Sequence, residues 1–214
     1  MLIAAAALVG VIGCPKQRGP DYFPLVAGAK TYMSVYTREV VDAETTERTR
    51  VKLTASVRGV EDIPDVGRLS VVEAPQDSGP PIISYFRKEP GRLVQVVPVR
   101  GKPPMEMIYL EYPLEVGKSW FDTERQRQQF QVVARETVTV KAGTFPDCYK
   151  LAVISTGVDW AMHQWLAPGV GPVKWENRAS WTRDGKTHEV VNIAELVEYR
   201  LPGELPKAGT TGGK

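Results

Sequence analysis

Val51-Lys52-Leu53-Thr54-Ala55-Ser56-Val57-Arg58 alternates apolar with polar side chains at every step. A period of two fits a strand, whose successive side chains leave opposite faces; a helix would repeat its apolar residues every three or four positions. The pattern returns in Phe130-Gln131-Val132-Val133-Ala134-Arg135 and continues to Val138 and Val140. Outward from these two runs, strand-like stretches are Thr31 to Val41, Arg68 to Glu73, Ile82 to Arg87, Leu93 to Val99, Met105 to Tyr109 and Lys118 to Asp122. Tyr149 to Ser155, Ala161 to Leu166, Val173 to Ser180 and Glu189 to Tyr199 complete the set. They are rich in Val, Thr, Tyr and Trp, which suit a pleated surface, and Gly and Pro punctuate them. No segment carries a convincing helical period. Spacing of this kind favours hairpins over crossover helices. The expectation is an all-β fold of roughly a dozen antiparallel strands in a curved sheet, half-barrel or sandwich.

Several turns are legible. Lys88-Glu89-Pro90-Gly91 and Ala167-Pro168-Gly169 place a fixed φ before a residue that accepts positive φ. Arg183-Asp184-Gly185-Lys186 reads as a tight hairpin connection between Trp181 and His188. Ala74 to Pro81 and Gly101-Lys102-Pro103-Pro104 read as loops. Pro98 and Pro103 would serve to blunt an exposed strand edge.

A weak internal repeat stands out. Tyr22-Phe23-Pro24-Leu25-Val26-Ala27-Gly28 is echoed by Glu111-Tyr112-Pro113-Leu114-Glu115-Val116-Gly117, and each copy leads into a strand with an aromatic residue, Tyr32 or Trp120. Pro90-Gly91 and Pro168-Gly169 follow at corresponding places. The recurrence fits duplication of a four- or five-stranded unit sharing one core. Chance is the competing reading, because Pro-Leu and Pro-Gly are common pairs.

At 214 residues, with 43% hydrophobic and 24% charged residues, the chain is ordinary for a globular domain. Lys and Arg number 27 against 25 Asp and Glu, a net charge of +2, so there is no basic field of the kind nucleic-acid binding requires. Met1 to Gly13, MLIAAAALVGVIG, carries no charge and is followed at once by Cys14-Pro15-Lys16-Gln17-Arg18. That run is shorter than the ~20 apolar residues a membrane-spanning helix needs and suits the apolar core of an export signal, which runs ~7–15 residues. Val11-Ile12-Gly13-Cys14 resembles the lipobox of bacterial lipoproteins. The resemblance implies removal of residues 1–13 and acylation of Cys14, with palmitate or a similar chain, leaving residues 14–20 as a lipidated tether. An ordinary buried N-terminus and a cleaved but unlipidated signal remain the alternatives, since Met1-Leu2-Ile3 lacks the usual basic residues. Residues 21–201 then form the β-rich envelope domain, and residues 202–214, rich in Pro, Gly and Thr, form a disordered tail. With Cys14 acylated, Cys148 has no partner for a disulfide. It is expected to be a buried, inert thiol at a strand start.

Tyr22-Phe23-Pro24-Leu25 with Gly28, Tyr112 to Trp120, Val140 to Cys148, and Trp165 to Lys174 together resemble the TapB-like family of poorly characterised bacterial envelope lipoproteins. The resemblance spans most of the chain from Tyr22 to about Trp175, with the Gly-rich phrase from Leu166 to Val173 as its hallmark turn. Near Lys30 the chain departs from the family pattern, with Thr31 and Tyr32 where relatives tend to carry Trp. The resemblance implies an all-β envelope domain and brings no known catalytic residues.

Chemistry is sparse. His163 and His188 are far apart and lack nearby ligand-spaced partners, so no metal or other cofactor is expected. Asp122, Glu124, Asp159 and Glu176 read as solvated residues of an outer sheet face, and Glu124 to Gln129 as a solvated turn or strand edge. No nucleophile elbow, phosphate loop or dinucleotide fingerprint is present. Trp120, Trp160, Trp165, Trp175 and Trp181 are the candidate ligand-binding residues. They would either line an apolar cleft for a lipid, glycan or peptide or fill the core of a strongly curved sheet. The expected function is a non-enzymatic binding or assembly module, held by Cys14 on the outer or inner membrane and facing the periplasm. Its partners would be the membrane itself and an envelope protein. The alternative is a carrier or sensor of an apolar ligand.

Overall fold

Each strand pairs with the one that precedes it along the chain, with a single exception that shapes the whole molecule. The computed structural model describes residues 19–42, 44–76, 78–99, 101–123, 128–155 and 160–202; Cys14 and most of the expected tail lie outside them. The strands are β1 (Lys30–Val41), β2 (Glu44–Ile63), β3 (Gly67–Ala74), β4 (Ile82–Glu89), β5 (Arg92–Val97) and β6 (Met105–Glu111). The second half supplies β7 (Ser119–Phe121), β8 (Gln128–Val140), β9 (Gly143–Ser155), β10 (Trp160–Ala167), β11 (Gly171–Arg183) and β12 (Lys186–Arg200). No helix occurs among the described residues. All strands join one antiparallel sheet in the order β6-β5-β4-β3-β2-β1-β12-β11-β10-β9-β8-β7. The meander curls until its two ends, β6 and β7, face each other. The result is a nearly closed barrel, as expected from the hairpin spacing.

Each strand-like stretch overlaps one of these strands, with Leu93 to Val99 and Lys118 to Asp122 running past the ends of β5 and β7, and β2 and β9 are much longer than the sequence suggests. β2 extends on both sides of Val51–Arg58 because bulges interrupt its period. Val51 and Lys52 together oppose Ser34 of β1, with Lys52 at φ 49°, and the pairing with β3 shifts between Val57 and Gly59. A bulge keeps the ladder going while flipping the face on which later side chains emerge. β9 begins at Gly143, so Cys148 is mid-strand rather than at a strand start. Pro146 and Asp147 form the extra residues of a bulge there, with Asp147 at φ 58°. Proline is tolerated inside a sheet at such a place, which is why the strand looked in the sequence as if it began only after Pro146.

The two copies of the sequence repeat occupy corresponding places. Gly28 N–H donates to Val57 O and Val57 N–H returns to Ala29 O, at 2.8 and 2.9 Å. Gly117 N–H donates to Val132 O and Val132 N–H returns to Lys118 O, again at 2.8 and 2.9 Å. Each segment also closes a turn, Ala29 N–H to Val26 O and Lys118 N–H to Glu115 O, both 3.0 Å. Six strands follow each copy, more than the four or five expected, and Pro90-Gly91 and Pro168-Gly169 turn β4 into β5 and β10 into β11. The halves differ at their junctions. β12 and β1 share a full ladder from Lys30↔Arg200 to Val41↔His188, whereas β6 and β7 share none.

The main core lies inside the barrel. Phe86, Leu93, Leu110, Trp120, Phe130, Leu151 and Leu166 pack there with Tyr22 and Leu114, the anchors of the two repeat segments. Rings cross the interior in sequence: Phe23 meets Phe86 and Tyr109 at 5.1 and 5.4 Å, Tyr109 meets Phe130 at 6.2 Å, and Phe130 stacks on Trp120 at 5.5 Å. Aromatic pairs at these separations contribute ~0.5–1.5 kcal/mol beyond the area they bury. The strap holding Tyr22 and Phe23 is fixed at Asp21, whose backbone oxygen accepts from Gly169 N–H and whose carboxylate pairs with Lys88. A second cluster gathers Val138, Phe145, Cys148, Trp165, Val173 and Leu196, and the β8–β9 turn is tied to β12 by Ala142 N–H to Leu196 O.

Candidate functional site: the β6–β7 seam

The barrel is held ajar by a short stretch of chain around Asp122. Ile108 N–H donates to Asp122 O at 2.7 Å, and the Trp120 indole N–H donates to Ile108 O at 3.2 Å. β7 ends at Phe121 because Asp122 turns the chain. Its carboxylate accepts from Thr123 N–H at 2.8 Å and from Gln128 N–H at 3.1 Å, while its own N–H donates to Gln128 O at 2.9 Å. Asp122 is only 4% exposed. The expectation of a solvated carboxylate therefore fails here, because its oxygen satisfies backbone donors that would otherwise be buried unpaired.

Past this point β6 and the β7–β8 wall diverge, and a cleft of ≈ 1270 Å³ opens between them. One wall is Val94, Met105, Glu106, Met107 and Ile108, with Val99, Lys102, Pro103 and Pro104 from the β5–β6 connection; Asp122, Thr123, Gln128 and Ser155 form the other. Two charged side chains of this lining are engaged elsewhere. Glu106 takes the Arg87 guanidinium through both oxygens at 2.8 Å, and Arg92 bonds Glu89. Arg87 also bonds Glu89, and the two guanidiniums hold the Glu89 carboxyl below the usual range against the opposing effect of burial, which is the largest single influence on it.

Met107 and Gln128 also line a small interior space of ≈ 80 Å³, together with Gln95, Tyr109, Phe130, Val153 and Met162. Beside it the Tyr109 hydroxyl donates to Gln164 Oε1 at 2.9 Å, a buried polar pair reaching from β6 to β10. Burial raises the Tyr109 phenol above its ordinary value, opposed by the bond to Gln164. At the other end a space of ≈ 120 Å³ lies between the Phe23–Leu25 strap, the start of β1 and the end of β12.

Trp120, Trp165 and Trp181 stand at separate places in the sheet. Trp120 is in the seam, stacked on Phe130. Trp165 is buried in the second cluster, where its indole N–H donates to Glu136 Oε1 and Lys150 and Lys174 lie over its ring at 4.8 and 5.1 Å. Trp175 is half-buried on β11. Trp181 is 43% exposed and stacks on His188 at 5.3 Å. The Trp160 side chain lies outside the described residues. None of the three cavities above has any of these tryptophans in its lining. Trp120 and Trp165 fill core space while their N–H groups find acceptors, and Trp181 covers His188.

Other candidate chemistry is dispersed. His163 is on β10 and His188 on β12, and among the described residues no group of three or more His, Cys, Asp and Glu side chains is placed to hold a metal ion. Glu176 is ion-paired with Lys174 at 3.1 Å; Glu124 and Asp159 lie outside the described residues. The Cys148 thiol is buried and bonded to Phe145 O at 3.3 Å, and burial pushes its pKa up to about 11. The seam itself was missed in the sequence. Its signals are the proline pair before Met105 and the three-residue β7, too short to cover the length of β6.

No family model matches the sequence, and no curated protein matches it. Among solved structures, the chain is similar to a candidate lipoprotein from Parabacteroides distasonis, with a TM-score of 0.46 and 15% identity over 86% of this chain and all of that one. A candidate exported protein with a YmcC-like fold from Bacteroides fragilis gives 0.45 and 15% over 86% of this chain and all of that one. A DUF1329 family protein from Desulfovibrio piger gives 0.24 and 9% over 86% and 90%. None of the three is described as TapB-like.

Proposed function

We propose that this chain is a non-enzymatic binding module of the bacterial cell envelope, tethered to a membrane through an acylated Cys14 and binding at the β6–β7 seam. The observation that carries the binding role is the seam itself. A meander with a full β12–β1 ladder has the hydrogen-bonding groups to close its other junction in the same way, yet β6 and β7 meet through one backbone bond. Beside that bond the two walls part around a large cleft. Interiors are normally packed to the density of organic crystals, so an open junction of this size favours an occupant. The tether reading rests on the charge-free run before Cys14 and on its resemblance to a lipobox. Two or more acyl chains would make attachment stable, at ~0.8 kcal/mol per buried methylene.

The test has two parts. Radiolabelled palmitate should enter the full chain expressed in bacteria and be absent from Cys14→Ala, which should leave the membrane fraction. A photo-crosslinking residue at Lys102 should capture an envelope component that the same residue at Asp184, on the distant β11–β12 turn, does not. An unlabelled wild type found in the cytoplasm removes the tether, and identical capture from both positions removes the seam as the binding place.

A further inference from the structure

The binding reading above leaves the ligand open, and the inference here rests on that reading and names one. We propose that the seam cleft takes a single acyl chain of an anionic amphiphile. The tail enters past Met105 and Met107 toward the barrel interior, and the headgroup stays at Lys102.

The cleft follows the open edge of β6, where Glu106, Met107 and Ile108 are consecutive and all three line it. Met107 and Gln128 then line the inner space beside Tyr109, Phe130 and Met162 as well. A route from solvent to an apolar, aromatic interior is therefore marked by residues common to both. The inner space alone, ≈ 80 Å³, is small. Met107 and Met162 border it, and unbranched methionines repack around a flexible chain more readily than branched side chains do. The outer cleft, ≈ 1270 Å³, exceeds the ~300–1000 Å³ of an ordinary small-molecule site.

Charge decides the headgroup. Both carboxylates of the lining are already satisfied, Glu106 by Arg87 and Asp122 by two backbone N–H groups. Arg87 joins Glu89 as well as Glu106, and Arg92 joins Glu89, so these two guanidiniums and two carboxylates balance. Lys102 is exposed, and among the described residues it forms no ion pair. The charge left available at the mouth is positive. Met105, 47% exposed at the same mouth, offers an apolar threshold. An added peptide strand is less well served, because only Met105 to Met107 of β6 lie before the bond from Ile108 to Asp122.

The experiment uses the full chain produced without export, so that Cys14 stays unmodified, purified without detergent and titrated with cis-parinaric acid. Saturable binding of one probe per chain is expected. Met105→Glu should weaken it ~10-fold, the equivalent of one lost favourable burial. Lys102→Glu should weaken it about threefold, as for an exposed charge pair, and should leave the uncharged methyl ester unaffected. Both substituted positions are exposed, and circular dichroism and the melting temperature confirm that the variants are folded. Absence of saturable binding overturns the proposal, as does binding that neither variant changes. A wild type that adsorbs to phosphatidylglycerol vesicles but ignores monomeric probe also overturns it, in favour of docking on a membrane surface. Palmitate labelling and fractionation are independent of this titration, so the tether can fail or hold separately from the ligand.

Discussion

Ile108 and Asp122 share the backbone hydrogen bond, 2.7 Å long, at which β6 and the β7–β8 wall last touch before the cleft. The Asp122 carboxylate at the same point accepts from Thr123 N–H and Gln128 N–H, bracing the turn that carries the bonded oxygen.

Asp122→Ala removes an acceptor from two backbone donors beside a residue that is almost fully buried. Leaving such donors unsatisfied costs about 2–3 kcal/mol. Asp122→Asn keeps a carbonyl oxygen in the same position and should cost about half as much. Urea unfolding of the three proteins measures both, and hydrogen exchange at Ile108 should rise in the alanine variant well before global unfolding. Equal stability of Ala and wild type would show that water replaces the carboxylate without penalty.

Trp120 contributes to the same seam in two separable ways. Its indole N–H bonds Ile108 O, and its ring stacks on Phe130 with an interplanar angle of 4°. Trp120→Phe keeps an aromatic face and removes the bond, so a loss of ~1 kcal/mol is expected. Trp120→Ala also empties core volume and should cost ~3–5 kcal/mol. Thermal melts distinguish these cases, and a phenylalanine variant as unstable as the alanine one would mean that the bond, rather than the stack, holds the seam.

The strand content was legible because period two and Pro-Gly punctuation are local properties. Arg183-Asp184-Gly185-Lys186 shows this well: Asp184 and Gly185 both have positive φ, at 51° and 74°, as a tight hairpin needs. The bulges at Lys52 and Asp147 were invisible because nothing in the pattern announces a residue that leaves the ladder and flips the face. The seam was hidden for a different reason. It arises from the fit of the two halves, β12 finding β1 over its length while β7 is three residues long. Asp122 looked like any polar residue at a strand end, since its burial depends on partners up to six positions away. Residue type marked the tryptophans, but sheet position separates Trp120 from Trp165 and Trp181, and Trp120 and Trp165 fill core space, one of the two roles read from the sequence.

The repeat predicts matched costs at two distant glycines. Gly28 and Gly117 stand at φ 84° and 93° in corresponding turns. A Cβ at Gly117 would meet nothing within 4 Å, and one at Gly28 would touch Pro202 Cγ at 3.4 Å, an ordinary contact. Gly28→Ala and Gly117→Ala should therefore each cost about 1–2 kcal/mol, from the left-handed backbone alone. Denaturant midpoints check this, and a cost at one position without the other would show that the two turns are not mechanically equivalent.

Cys148 gives the molecule an alkaline signature. Its thiol is buried among Val138, Phe145 and Trp165, and burial lifts it from 9.0 to about 11. The neutral thiol is therefore favoured by the fold. That contribution is fully present below pH 9, where the unfolded thiol is also protonated, and is lost as pH rises toward about 11, where unfolding releases a proton. Wild type should lose melting temperature relative to Cys148→Ala between about pH 9 and pH 11, with the offset between the two constant below that window. Subtracting the variant removes the tyrosines, which titrate in both proteins. The native thiol should also resist a disulfide reagent at pH 8 and react at once in denaturant, since only the thiolate attacks. Rapid reaction in the folded protein at that pH would mean that the cluster around β8 and β9 opens far more often than its packing implies.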